Sequence, residues 1–407
     1  MTLRNVAVRL TALEIWAVAL AVVTSMISTR LLPIALAVAV FFWIIRWITN
    51  GRLSVRTSVD WAIGLLALMM AVTLWATALP EKTLPQVYRL LTGILLFYTI
   101  VNWTSTPARL RLLTVAIVLA GLGLALMAPV SVEWSSGKLP FIPDLLYSRF
   151  KLLVADVVHP NVMAGSLVIL LPIPFALMIF AWRELGGWKR LLASIVILTM
   201  VGMLFLTKSR GAWIAFTLIL VFLPILRWRW GWVGVVVLIV AGGVILYRFG
   251  ITSVAEALLS SDTISSVGGR VEIWSRAIYM IQDFSFTGIG MGTFGDVADL
   301  LYPFFLAAPS SISHSHNLFL QVTVDLGLPG LIAWLAILYL VLITSWRVYQ
   351  RGQKTANCWL AGIGAGLFCS QLALMKHGLT DAVTWGMVRP AHIVWVLWGL
   401  AMAAGEM

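Results

Sequence analysis

Charge is what this chain is short of. Only 11% of its 407 residues are Asp, Glu, Lys or Arg, against 61% that are hydrophobic. No polar stretch is long enough to fold as a separate soluble domain, which excludes an ordinary water-soluble enzyme. Cysteine is nearly missing as well: Cys358 and Cys369 are the only two, eleven residues apart. On one helix that is about 16 Å, too far for a disulfide or a shared metal site. Carboxylates are sparse, and the only close pair outside the expected cytoplasmic face is Asp296 and Asp299. No further oxygen ligand stands at a spacing that a divalent ion would use, so no metal and no other cofactor is expected. There is also no internal repeat, low-complexity tract or heptad series, and no linker divides the chain.

What is present in excess is the uncharged apolar run. A helix needs about 20 residues to cross about 30 Å of hydrocarbon. Runs of roughly that order cover residues 15–29, 31–45, 61–80, 90–108, 112–132 and 160–182. The second half adds 191–207, 211–226, 230–247, 326–346, 355–375 and 390–405. The expectation is an all-α polytopic membrane protein of about 12 transmembrane helices, with residues 1–407 forming a single integral membrane domain. Arg4 and Arg9 precede the first span, but no small-residue cleavage site follows, so that span should be retained.

Basic residues set the orientation, because cytoplasmic loops retain them. With the N-terminus inside, 15 Lys and Arg face the cytoplasm beside four acids, and 13 basic and 12 acidic residues remain outside. That outer side is rich in basic groups for exported loops and needs a reason. Arg227-Trp228-Arg229-Trp230 is an interfacial anchor at a helix end rather than a nucleic-acid contact. Membrane lipids are the expected surroundings, and no nucleic acid is expected as a partner.

Two long segments fall outside, 131–159 and the larger 248–325, which lies between spans nine and ten. The second opens on a Ser/Gly-rich turn at 265–269. A helix follows from Arg270, with Ile273, Trp274, Ala277, Ile278 and Ile281 at helical spacing, expected to lie against the membrane domain. Gly288, Gly290 and Gly292 mark a tight turn and fail the dinucleotide-binding spacing. The apolar stretch 300–312 is too short to span and suits a lipid-facing lip. His316 and Asn317 then open a helix expected to stop near Leu326, where Gly327-Leu328-Pro329-Gly330 breaks it. Such a helix start favours an anionic ligand.

These residues carry a resemblance. His316-Asn317, nine residues, then Gly327, two residues and Gly330 are similar to the H-[NSQ]-x9-G-x-x-G pattern of the O-antigen ligase and polymerase family. Lys208-Ser-Arg210-Gly-Ala-Trp213 and Gly269-Arg270-Val-Glu-Ile-Trp274 resemble that family's two arginine motifs, in the same order. His159-Pro160-Asn161 before the sixth span also looks like a recurrent family feature. The resemblance implies a helical glycosyltransferase of the GT-C type in the bacterial inner membrane. Its donor would be a glycan on undecaprenyl diphosphate, and its active site would face the periplasm, with 248–325 as a large periplasmic loop.

Transfer from a lipid diphosphate needs charge stabilisation at the leaving group and a base for the acceptor hydroxyl. Arg210 and Arg270 suit the first task, since a guanidinium stays protonated and donates in a fork to phosphate oxygens. His316 suits the second. Lys208, His314 and Asn317 stand beside these as substrate-binding or orienting candidates. Asp381, which resembles an acidic family position, would orient a basic group or the acceptor. Lys82 and Arg89 flank another outer loop and could extend a basic surface for the diphosphate. With no nucleophile paired to a carboxylate, direct inverting displacement is the economical route.

The implied acceptor is a lipid A–core sugar hydroxyl, as in an O-antigen ligase. A polymerase joining carrier-linked repeats and a protein O-oligosaccharyltransferase remain alternatives. A secondary transporter is the reading from another class, but its inverted repeats and midplane charges are not seen here.

Overall fold

The computed structural model describes residues 3–134, 158–250, 267–305, 312–386, 388 and 391–407. Among these every regular element is helical, and the one β-contact is an isolated bridge between Val132 and Val158. The first half contains α1 (Leu3–Ile27), α2 (Leu32–Asn50), α3 (Asp60–Ala76), α4 (Pro80–Trp103) and α5 (Pro107–Ser131). Next come α6 (Pro160–Leu170) and α7 (Pro172–Phe180), which follow one another across Leu171, then α8 (Gly187–Leu206), α9 (Arg210–Arg227) and α10 (Val233–Phe249). The large loop carries α11 (Val267–Asp283) and α12 (Phe294–Leu301). The chain closes with α13 (Leu318–Lys354), α14 (Cys358–Gly378) and α15 (His392–Glu406).

Eight helices are long and apolar enough to cross a membrane, counting α6–α7 as one; four shorter apolar helices lie in α1, α3, α10 and α15. Each expected run falls on one of these twelve. Length separates them: a helix of 15 to 17 residues reaches about 23–26 Å at 1.5 Å per residue, less than the hydrocarbon thickness. Among the described residues eight helices therefore meet the length and composition of a full crossing, and the other four fall just short of that length. Proline at the first helical position starts α4, α5 and α6 where no intrahelical bond is lost.

Three of the eight are enclosed by the others. Buried residues make up 72% of the crossing window of α4, 78% of α6–α7 and 67% of α14, against 22–28% for α2, α5, α8 and α9. One charged pair is buried between α1 and α2. Arg46 of α2 meets Glu14 of α1 at 3.0 Å, and Thr99 of α4 donates to the same carboxylate at 3.2 Å, as burial of a charge requires.

The large loop has its own core. Ile273, Ala277 and Met280 of α11 pack with Phe294, Ala298, Phe304, Ile312 and Val324 of α13, so the loop leans on the membrane helices as expected. The buried stripe differs by one position: Ile278 is 45% exposed and Met280 is buried, the i, i+4, i+7 pattern from Ile273. The expected turn at 265–269 is replaced, over its described part, by the first helical turn of α11. Residues 265 and 266 lie outside the described residues. Gly288, Gly290 and Gly292 all take positive φ in a turn, as their spacing suggests. Leu300 and Phe305 of the expected lip are 81% and 87% exposed, and residues 306–311 lie outside the described part.

The helix after Asn317 does not end at Leu326. At Gly327 the backbone leaves helical geometry (φ 72°, ψ 178°), a conformation open essentially to glycine alone, and then re-enters a helix that runs to Lys354. Leu328 N–H, which the kink deprives of its partner, donates to Ser285 O at 2.7 Å. Pro329 falls in the first turn beyond the kink, where a missing N–H breaks nothing. The glycine-proline sequence therefore bends this element where a stop was expected.

Candidate active site

Four segments meet around Asp381. It closes the turn after α14, where its N–H donates to His377 O at 3.0 Å. One carboxylate oxygen accepts from Asn161 Nδ2 at 2.9 Å, at the start of α6. The other accepts from Ala382 N–H at 2.8 Å and lies 3.4 Å from His316 Nδ1 and 4.0 Å from His314 Nε2. Burial alone would raise the pKa of this carboxyl. The hydrogen bond from His316 and the imidazoles of His314, His316 and His377 outweigh burial and hold it well below the usual carboxylate range.

The two histidines are set by backbone. His316 N–H donates to His314 Nδ1 at 3.1 Å, which leaves the proton of His314 on Nε2, facing Asp381. Burial, with His316 adding and Asp381 opposing, pushes the His314 pKa down to about 4, so this ring is neutral near pH 7. His316 itself has φ 50°, a left-handed conformation that costs a non-glycine residue about 1–3 kcal/mol and persists only where its surroundings impose it. A proton on His316 Nδ1 would face Asp381 at 3.4 Å and leave Nε2 as the acceptor.

Arginines complete the site. Arg270 sits in the first turn of α11, and Arg210 is the first residue of α9. Burial pulls the Arg270 pKa below the usual arginine value; Asp381 opposes the fall and Arg210 adds to it. The two guanidiniums therefore feel one another beside one carboxylate. Arg270 Nε is sealed from solvent without a hydrogen-bond partner among the described residues. Both cations stand at helix N-termini, already the positive end of the dipole, so the arrangement is electrostatically suited to an anion. Gly211 lets α9 come this close: a Cβ there would lie 2.3 Å from Thr380 Oγ1, the neighbour of Asp381.

Of the residues singled out in the sequence, Arg210, Arg270, His314, His316 and Asp381 are brought together. Lys208 is buried in the turn just before Arg210, with φ 54°. Asn317 is the N-cap of α13, accepting from Phe319 and Leu320 N–H and donating to Leu379 O at 3.3 Å, so its oxygen is engaged in capping. Lys82 is paired with Asp296 in an exposed contact. Arg89 is buried in a small cleft with Trp334, Thr384, Trp385 and His392. His159 and His377, not singled out as site residues, act electrostatically on His314 and Asp381 respectively.

Residues 195–335 match the family described as O-antigen ligase. Over this stretch the chain is similar to the O-antigen ligase family. The O-antigen ligase match includes both arginines and the His314–Asn317 turn, and it ends before Asp381, which the fold brings to them from outside it. Members of this family are glycosyltransferase-like enzymes, ligases and polymerases. No curated protein matches the chain in a sequence comparison.

His314, His316 and Asp381 also offer three ligand atoms within 4.8 Å of one another, a spacing that a metal ion could use. The adjoining Arg270 and Arg210 charges oppose a dication there, and the Nε2 of neutral His314 that faces Asp381 carries a proton.

Proposed function

We propose that the protein is an O-antigen ligase: an inverting, metal-independent membrane glycosyltransferase of the GT-C type. It moves a glycan from undecaprenyl diphosphate to a lipid A–core sugar hydroxyl at the periplasmic face of the inner membrane. The observation that carries this reading is the pairing of two mutually repelling arginines with a His316–Asp381 dyad in one site. Arg210 and Arg270 bind the diphosphate and neutralise the charge that grows on it as the bond to the anomeric carbon breaks. His316 Nε2 takes the proton of the acceptor hydroxyl as its oxygen bonds to that carbon from the opposite face. Asp381 fixes the His316 ring and stabilises the imidazolium that results, the role a carboxylate plays behind a catalytic histidine elsewhere.

The test is transfer by purified protein given a polyprenyl-diphosphate glycan and, separately, lipid A–core, carrier-linked repeats and a protein acceptor. Product with lipid A–core alone supports the ligase. Product only with carrier-linked repeats makes it a polymerase, product only with the protein acceptor makes it a protein O-oligosaccharyltransferase, and no product from any acceptor removes the reading. Run with a chelator, the reaction should proceed unchanged. Loss of transfer reversed only by a divalent ion would give the His314–His316–Asp381 triangle to a metal.

A further inference from the structure

The turn that carries the two histidines is gripped by residues that take no part in the chemistry above. Ser315, between them, is fully buried. Its N–H donates to Gln321 Oε1 at 2.7 Å, and its carbonyl accepts from Trp274 Nε1 at 3.1 Å. Two consecutive peptide planes are therefore pinned. The plane between His314 and Ser315 is held by Gln321. The plane between Ser315 and His316 is held at its carbonyl by Trp274 and at its N–H by His314 Nδ1.

Both anchors are themselves anchored. Gln321 Nε2 donates to Asp325 Oδ1 at 2.8 Å, one turn further along α13, and Asp325 Oδ2 accepts from Trp385 Nε1 at 2.7 Å. Trp274 stands four residues after Arg270 on α11, so the two side chains share one face of that helix. The Trp274 bond thus ties the element bearing Arg270 to the peptide that immediately precedes His316.

We propose that Trp274 and Gln321 are positioning residues: they clamp the Ser315 peptide, impose the left-handed conformation of His316 and set its ring in register with Arg270. The inference rests on the reading of His316 as base and Arg270 as diphosphate ligand. A non-glycine residue at φ 50° relaxes when its flanking planes are free to turn. Without Trp274 Nε1 the 315–316 plane has lost its carbonyl partner, and the His316 ring swings away from Asp381. The donor site, built on α9 and α11, is left in place.

The test uses Trp274→Phe, which keeps a ring but removes the donor, and Gln321→Met, which keeps length but removes both bonds. Each is made in the wild-type and in the His316→Ala background and assayed in vesicles with a polyprenyl-diphosphate glycan. In the wild-type background kcat should fall about 10- to 100-fold with donor KM unchanged, the scale of a misplacement of about 1 Å. On His316→Ala neither change should lower the residual rate further, because the ring that the clamp places is gone. An equal fall in both backgrounds means that the two residues only support the fold, which overturns the clamp alone. Full transfer by His316→Ala overturns the base reading and the clamp with it. Should Trp274→Phe fail to accumulate as folded protein, Gln321→Met frees the adjacent plane and decides the question, a wild-type rate there overturning the proposal.

Discussion

At the level of single residues the site makes sharp demands on side-chain chemistry. Arg210→Lys and Arg270→Lys keep the charge but lose the planar fork, and Arg270 has a buried Nε with no hydrogen-bond partner among the described residues. Each should lower transfer by about 10²-fold or more, as removal of a preorganised donor does. Wild-type rates from both lysine variants in the purified assay would take the arginines out of the site. His316→Ala should lose about 10²- to 10⁴-fold while still binding the lipid donor, the range for general-base groups. His314→Ala should lose less, since its Nδ1 is occupied by a backbone N–H. A loss in His316→Ala traced wholly to donor binding would assign that ring to positioning. His314 makes a different prediction, on stability. Its folded-state pKa of about 4 lies below the usual 6.5, so between those values the unfolded chain takes up the proton and the folded chain does not. Stability should therefore fall as pH drops from about 6.5 towards 4, by about 2–3 kcal/mol at about 1.4 kcal/mol per pH unit less solvent screening. His314→Asn should flatten that part of a melting-temperature profile, and an unchanged slope would show the ring to be indifferent to folding.

At the level of elements the most demanding position is Gly327. Any side chain there must adopt φ 72°, ψ 178° and lies within 2.7 Å of the Phe286 carbonyl. Gly327→Ala should cost about 1–3 kcal/mol from backbone conformation alone and shift α13 against the loop. A melting temperature equal to the wild type would show that the kink is not fixed by this residue. How much of this could be read beforehand depends on whether partners were neighbours in sequence. The break at Gly327 and the helix start at Asn317 were legible because each is a local preference of backbone or cap. Whether the break would stop the helix or bend it was not, since that was decided by Ser285, which takes the Leu328 N–H from another segment. The same limit explains Lys82: its sequence context showed an outer cation, and its partner Asp296 lies 214 residues away. Asn161, Trp274 and Gln321 escaped notice as site residues because an amide or an indole has no signature until the group it bonds is in view. The arginines and His316 could be found because their chemistry and motif spacing coincide.

For the whole molecule, the proposed orientation places residues 248–325 on the side opposite both termini. A chain with Cys358 and Cys369 replaced and a single cysteine at the 81%-exposed Leu300 should react with an impermeant thiol reagent in intact cells stripped of their outer membrane. Reaction only after the cytoplasm is opened would invert the topology and move the site to the wrong leaflet for a periplasmic donor. Asp381 bears on the life of the protein before it is complete. Its carboxylate is held by Asn161, 220 residues earlier, and faces histidines contributed by a turn more than sixty residues upstream of it. Translation must run past residue 381 before the carboxylate that would aim the base exists. On the proposed mechanism, a nascent or truncated chain that stops short of Asp381 holds both arginines but has no aligned proton acceptor, so it would hold the lipid carrier without consuming its glycan.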